Sequence, residues 1–129
     1  MSESGLGDAP APLLEIESMI QNGVEVFMPV GAVDMSTIGE FEHRLRPACS
    51  RPNARVVVDC AGLTYLNSSS LGLFYKFFNV CRNQAGAFAL CGVSSKILEI
   101  IKLLGLDKVL LIYGTREEAV DHVQRGNQK

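Results

Sequence analysis

The chain has 129 residues, with twelve Lys or Arg against fourteen Asp or Glu and a net charge of −2. A hydrophobic share of 47% and a charged share of 20% describe one globular domain able to bury a core without disulfides or metal, and exclude a disordered chain. The near balance of charge excludes the basic footprint of a nucleic-acid or membrane-surface binder, and no apolar run approaches the roughly 18 residues that span a bilayer, so no membrane insertion is expected.

Residues 1–12, rich in Gly, Pro, Ala and Ser, read as a flexible tail. They lack the basic and apolar regions of a secretory signal, so none is expected there. Leu13 to Ile20 sets Leu14, Ile16 and Ser18 against Glu15, Glu17 and Met19, the alternation of a strand with one wet face. Gln21-Asn22-Gly23 supplies the residues that accept a tight hairpin turn, so Val24 to Val30 is expected to pair back antiparallel. Asp34, Ser36 and Thr37 offer cap chemistry for a helix carrying Ile38, Phe41, Leu45 and Cys49, with Pro47 and residues 50–53 as its stop.

Arg55 to Cys60 contains Val56-Val57-Val58, a β-branched run without polar alternation, as in a parallel strand covered on both faces. A loop through Gly62 and Asn67 leads to a helix carrying Leu71, Phe74, Tyr75, Phe78 and Cys81, with Gly86 as its stop. Ala87 to Val93 is a second buried strand. Ser94 and Ser95 are cap candidates for a helix with Ile97, Ile100, Ile101 and Leu104, closed at Gly105. Val109 to Tyr113 forms a last strand, and Thr115 with Glu118 makes a capping box for a helix to about Gln124. The order ββαβαβαβα predicts an α/β fold: a mixed, mostly parallel sheet with an N-terminal antiparallel hairpin and four helices over 13–125, followed by a short tail at 126–129.

The four cysteines, at 49, 60, 81 and 91, form no CxxC pair, and the two histidines stand at 43 and 122. That is no zinc or iron–sulfur spacing and no plausible triad, and no glycine-rich phosphate loop is present. Reduced thiols in a cytoplasmic protein, no metal, no cofactor and no enzymatic activity are the expectation. Chemistry concentrates instead at 59–73, DCAGLTYLNSSSLGL, where a buried strand ends and three serines open a helix. Functional groups of parallel sheets collect at the carboxyl ends of strands. A helix N-terminus stabilises an anion. One serine suffices as an N-cap; three exceed that need.

Three stretches carry a resemblance to the STAS domain, the fold of bacterial anti-sigma-factor antagonists, over about residues 13–123. Gly31-Ala32-Val33-Asp34 is similar to the segment after the family's hairpin. Val56-Val57-Val58-Asp59 with Gly62 to Gly72 resembles its strand–loop–helix pattern ending in Asp-Ser-Ser/Thr-Gly-Leu-Gly. Leu90 to Ser94 and Leu104 to Val109 are similar to its Gly-hydrophobic-Ser and Gly-Leu-Asp-Lys segments. The resemblance implies a regulatory binding module of a partner-switching circuit. Its partner would be an anti-sigma factor that is also a serine kinase of the histidine-kinase-like ATPase type, with a serine phosphatase reversing the modification. It places the acceptor at Ser69, with Ser68 and Ser70 as alternatives, and the partner-binding surface at Asp34, Ser36, Asn67, Ser68, Ser70, Leu71 and Lys76. Asp34 serves equally as a helix cap, whereas for Lys76 a solvated surface charge is the favoured reading, and for Asp59 an anchor of the following loop. Of the aromatics at 74, 75, 77 and 78, Phe77 or Tyr75 is expected to be exposed. The chain departs from the family pattern at Asn67, where an acid is usual, and at Ser70, where glycine is usual. A second role compatible with the resemblance is an accessory subunit of an ABC-type or anion transport system without a phosphorylation cycle.

Overall fold

The computed structural model describes residues 13–125, so the tails expected at 1–12 and 126–129 lie outside the described residues. The elements are β1 (Leu14–Gln21), β2 (Val24–Val33), α1 (Ile38–Cys49), β3 (Arg55–Asp59), β4 (Leu63–Leu66), α2 (Ser68–Asn83), β5 (Ala87–Cys91), α3 (Ser95–Leu103), β6 (Leu111–Tyr113) and α4 (Arg116–Gln124). The strands form one sheet in the order β1-β2-β3-β5-β6, with β4 beside the far end of β2. β1 and β2 pair antiparallel from Gln21↔Val24 to Leu14↔Gly31, around a turn in which Asn22 and Gly23 take positive φ. All other pairs are parallel.

The run Val56-Val57-Val58 is buried on both faces, as its composition requires. Alternate side chains divide the core in two. Phe27, Val56, Val58, Phe88 and Leu90 point to the face covered by α1, α2 and α3. Val24, Val26, Val57, Ala89 and Cys91 point to the other, where Ala119, Val120 and Val123 of α4 cover them. Large residues thus line the three-helix face and small ones the single-helix face. On the first, Phe74 of α2 meets Phe41 edge-on at 5.7 Å and lies 6.3 Å from Phe88, joining α1, α2 and the sheet.

Four local expectations need correction. Leu63–Leu66, expected to be loop, forms β4, which pairs Gly31↔Leu63, Ala32↔Tyr65 and Val33↔Leu66 across a register shift in β2. The last strand begins at Leu111, not Val109. Pro47 does not stop α1, which continues to Cys49. Pro47 lies near the helix end, and its missing N–H leaves only the carbonyl of exposed His43 without a helical partner. The left-handed residue after α2 is Ala85, not Gly86. Gly86 serves close approach instead: a Cβ there would stand 2.0 Å from the Ala54 carbonyl oxygen, where the Ala87 amide donates at 2.7 Å. The capping roles of Ser94 and of the Thr115–Glu118 box are as expected.

All four cysteines are buried and free. Burial pushes the Cys91 thiol up to about 12 and raises Cys60 as well, while contact with Cys81 together with burial raises Cys49. Thiolate, the reactive form, is thereby suppressed.

Two outcomes follow. Gly86→Ala lowers stability by about 1–3 kcal/mol, read as a lower urea midpoint at unchanged slope, because backbone must move to admit the methyl. At pH 8 the native protein reacts with iodoacetamide at a small fraction of the rate of the urea-unfolded chain, counted as added mass.

Candidate functional site

The site is built where β2 and β4 end and α1 and α2 begin. Val33 closes β2 opposite Leu66. Its carbonyl accepts from the Asn67 amide at 3.3 Å and lies 3.3 Å from the Ser70 hydroxyl oxygen, so the start of α2 hangs from the end of β2. Asn67 is the N-cap of α2, with Oδ1 accepting from the Ser70 amide at 2.8 Å and from the Ser70 hydroxyl at 2.6 Å. A neutral amide therefore performs the capping that a carboxylate would, and no acidic residue stands in the first turn.

The three serines are not equivalent. Ser68 and Ser69 are exposed, whereas Ser70 is 0% exposed and inside the core. Ser70 lies four residues before Phe74 and seven before Phe77, on the same buried stripe. That spacing was the signal available for its burial. Leu71, also 0% exposed, packs in the three-helix core. The expectation that Ser70 and Leu71 belong to a partner-binding surface, and that Ser70 is an alternative acceptor, is corrected accordingly: both side chains face inward.

Asp34, next to Val33, holds the turn into α1. Its Oδ1 accepts from the Ser36 amide at 2.8 Å and the Ser36 hydroxyl at 2.7 Å. These bonds, the hydroxyl's above all, hold its carboxyl below the usual range. Asp34 does not cap α1 with its side chain. Its backbone carbonyl accepts from the Ile38 amide at 2.9 Å. Thr37, at the N-cap position, makes no side-chain cap; its hydroxyl accepts from the Asp34 amide at 3.0 Å and donates to the Ala32 carbonyl at 2.8 Å. The structural weight of buried Thr37 was not legible, since its partner lies five residues back. The structure thus brings Asp34, Ser36, Asn67, Ser68 and Ser69 to one end of the molecule.

Lys76 is seven residues beyond Ser69, roughly 10 Å along the helix at 1.5 Å per residue. It lies against α1, with Nζ 3.1 Å from Glu42 Oε2, and Arg46 pairs with the same carboxylate. Lys76, with Arg46, lowers the Glu42 carboxyl below its ordinary value. Of the aromatic cluster, Tyr75 is exposed and Phe77 fully buried. Two exposed apolar side chains went unnoticed in the sequence: Met35, 84% exposed beside Asp34, and Tyr65, 52% exposed two residues before Asn67.

Asp59, at the end of β3, anchors the loop as expected. It accepts from the Ala61 amide at 3.1 Å and pairs with Arg116 of α4 at 2.9 Å, which ties the β3 end to the single-helix face. Among the described residues no group of three His, Cys, Asp or Glu is arranged to hold a metal, and no helix is long and apolar enough to cross a membrane.

The STAS domain family model matches residues 15–119. The chain belongs to the STAS domain family. It is 23% identical over 112 residues to an anti-sigma F factor antagonist of Paenibacillus polymyxa, covering 86% of this chain and 96% of the relative. An anti-sigma factor antagonist from Mycobacterium paratuberculosis superposes with a TM-score of 0.77 at 24% identity, covering 90% of this chain and 99% of that one. The Bacillus cell fate determinant SpoIIAA in its phosphorylated form gives a TM-score of 0.63 at 21% identity, over 85% and 98%. These likenesses match the mixed sheet and four helices seen here.

The STAS chain is expected to lose about 1 kcal/mol on Asn67→Ala, from the missing cap, and about 1 kcal/mol on Ser70→Ala. The double variant loses less than the sum, because both remove the same bond. Urea denaturation of the three proteins measures this cycle. The Glu42 carboxyl is lowered on folding, so the folded state binds fewer protons there. Its contribution is present above the ordinary value of 4.5 and is lost as pH falls through the folded value. Lys76→Gln flattens that acid limb, as followed by denaturation at stepped pH.

Proposed function

We propose that this STAS domain is the antagonist of a partner-switching circuit, a binding module rather than an enzyme. Its surface around Ser69 docks an anti-sigma factor that is also a serine kinase of the histidine-kinase-like ATPase type. Phosphorylation of Ser69 releases that partner, and a serine phosphatase restores binding. The observation that carries this reading is the division within the serine triplet: Ser69 is presented on the exposed first turn of α2, while the neighbouring Ser70 is locked beneath it by Asn67 and Val33. The acceptor is fixed in place yet reachable.

Phosphate on Ser69 adds a charge of about −1.5 to −2 to the middle of the docking surface. Exposed Met35 and Tyr65, close in sequence to Asp34 and Asn67, give that surface apolar contact area, which suits a protein partner. A partner seated on such residues is displaced by the desolvation cost of the new charge and by repulsion from its own acids. The relatives described above are anti-sigma factor antagonists, which supports the same reading.

Wild type, Ser69→Ala and Ser69→Glu, used as baits in lysate of the native host, test it. Wild type and Ser69→Ala capture a small ATPase of the histidine-kinase type, and Ser69→Glu does not. Equal capture by all three, or capture of a transport subunit in its place, refutes the switch. Incubated with the captured kinase and ATP, wild type gains one phosphate, which peptide mass spectrometry places on Ser69 and not on Ser70.

A further inference from the structure

At the opposite end of the sheet from Ser69, the start of β3 and the hairpin turn enclose a cleft of about 140 Å³. Its polar lining comes from Arg51, Asn53 and Arg55, with Glu25 on one side. An engineered cavity of about 150 Å³ admits a benzene-sized molecule, so a tetrahedral oxyanion fits this space. Arg55 is partly buried, and its Nε is buried without a hydrogen-bond partner among the described residues. A buried donor left unpaired calls for an unseen water or ion.

The charges favour an anion. Arg51 and Arg55 bring two positive charges. Glu25 brings one negative charge and lies 3.3 Å from Arg51. The carboxyl end of α1, at Ala48, contributes roughly half a negative charge. The cleft therefore keeps about half a positive charge, in a chain whose net charge is −2. Arginine is also the side chain whose fork of donors matches the oxygens of phosphate. We propose that this cleft binds a small tetrahedral oxyanion between the guanidinium groups of Arg51 and Arg55. The residual charge is small, so the affinity is modest and governed by Glu25. The site is independent of the role assigned to Ser69, and a partner docked on α2 leaves it open.

Inorganic phosphate is the probe, titrated into the full chain at constant ionic strength with chloride as the exchanging ion and followed by amide NMR. Saturable shifts are expected at Gly23, Asn53, Ala54 and Arg55, with none at Ser68 or Ser69. Arg51→Gln weakens binding at least threefold. Glu25→Gln, which removes the competing carboxylate, tightens it at least threefold. Both substitutions are outside the core and keep the dispersed spectrum of the folded domain. Ser69→Ala binds phosphate as wild type does. Shifts that never saturate, equal shifts with chloride, or an affinity unmoved by Glu25→Gln overturn the proposal and leave water as the partner of Arg55.

Discussion

Everything in this domain follows from a central strand that cannot face water on either side. Val56, Val57 and Val58 must be covered above and below, so helices are needed on both faces, and the chain must cross the sheet repeatedly to supply them. Those crossings leave the loops at the strand ends. β2 and β4 end side by side at Val33 and Leu66, and α1 and α2 begin just beyond them. The exposed serines occupy that end, where irregular backbone follows the strands.

The departures from the family pattern make sense together. A serine at position 70 is buried, and a buried hydroxyl costs stability unless it is bonded. Asn67 provides the bond with the same oxygen that caps the helix. Asn67 and Ser70 thus form one structural unit, and the exposed hydroxyl of Ser69 stands on it. The cost of a polar group in the core and the need for a rigid platform at the surface are met by a single arrangement.

Much of the fold was legible because local and global signals agree. The hairpin is written in Asn22-Gly23, the buried strands in Val56–Val58 and in Ala87 onward, and the last two helices in the caps at Ser94 and Thr115. What escaped depends on contacts distant in sequence. β4 is a strand only because β2 shifts register to meet it. Gly86 carries no positive φ, and its reason is the carbonyl of Ala54. At the site, identity was readable but orientation was not: three identical serines differ only in their angle around α2, and Leu71 follows Ser70 inward. Met35 and Tyr65 read as ordinary apolar residues until the fold left them outside.

The single-helix face has a consequence for synthesis. Every strand of the sheet and the three helices of the other face precede α4 in the chain. A nascent chain can therefore close its Phe-rich side while Val24, Val26, Val57 and Ala89 are still wet. That face of the sheet stays uncovered until Ala119, Val120 and Val123 of α4 pack on it. The pairing of Asp59 with Arg116, at the very start of α4, ties that end of the last helix to the sheet.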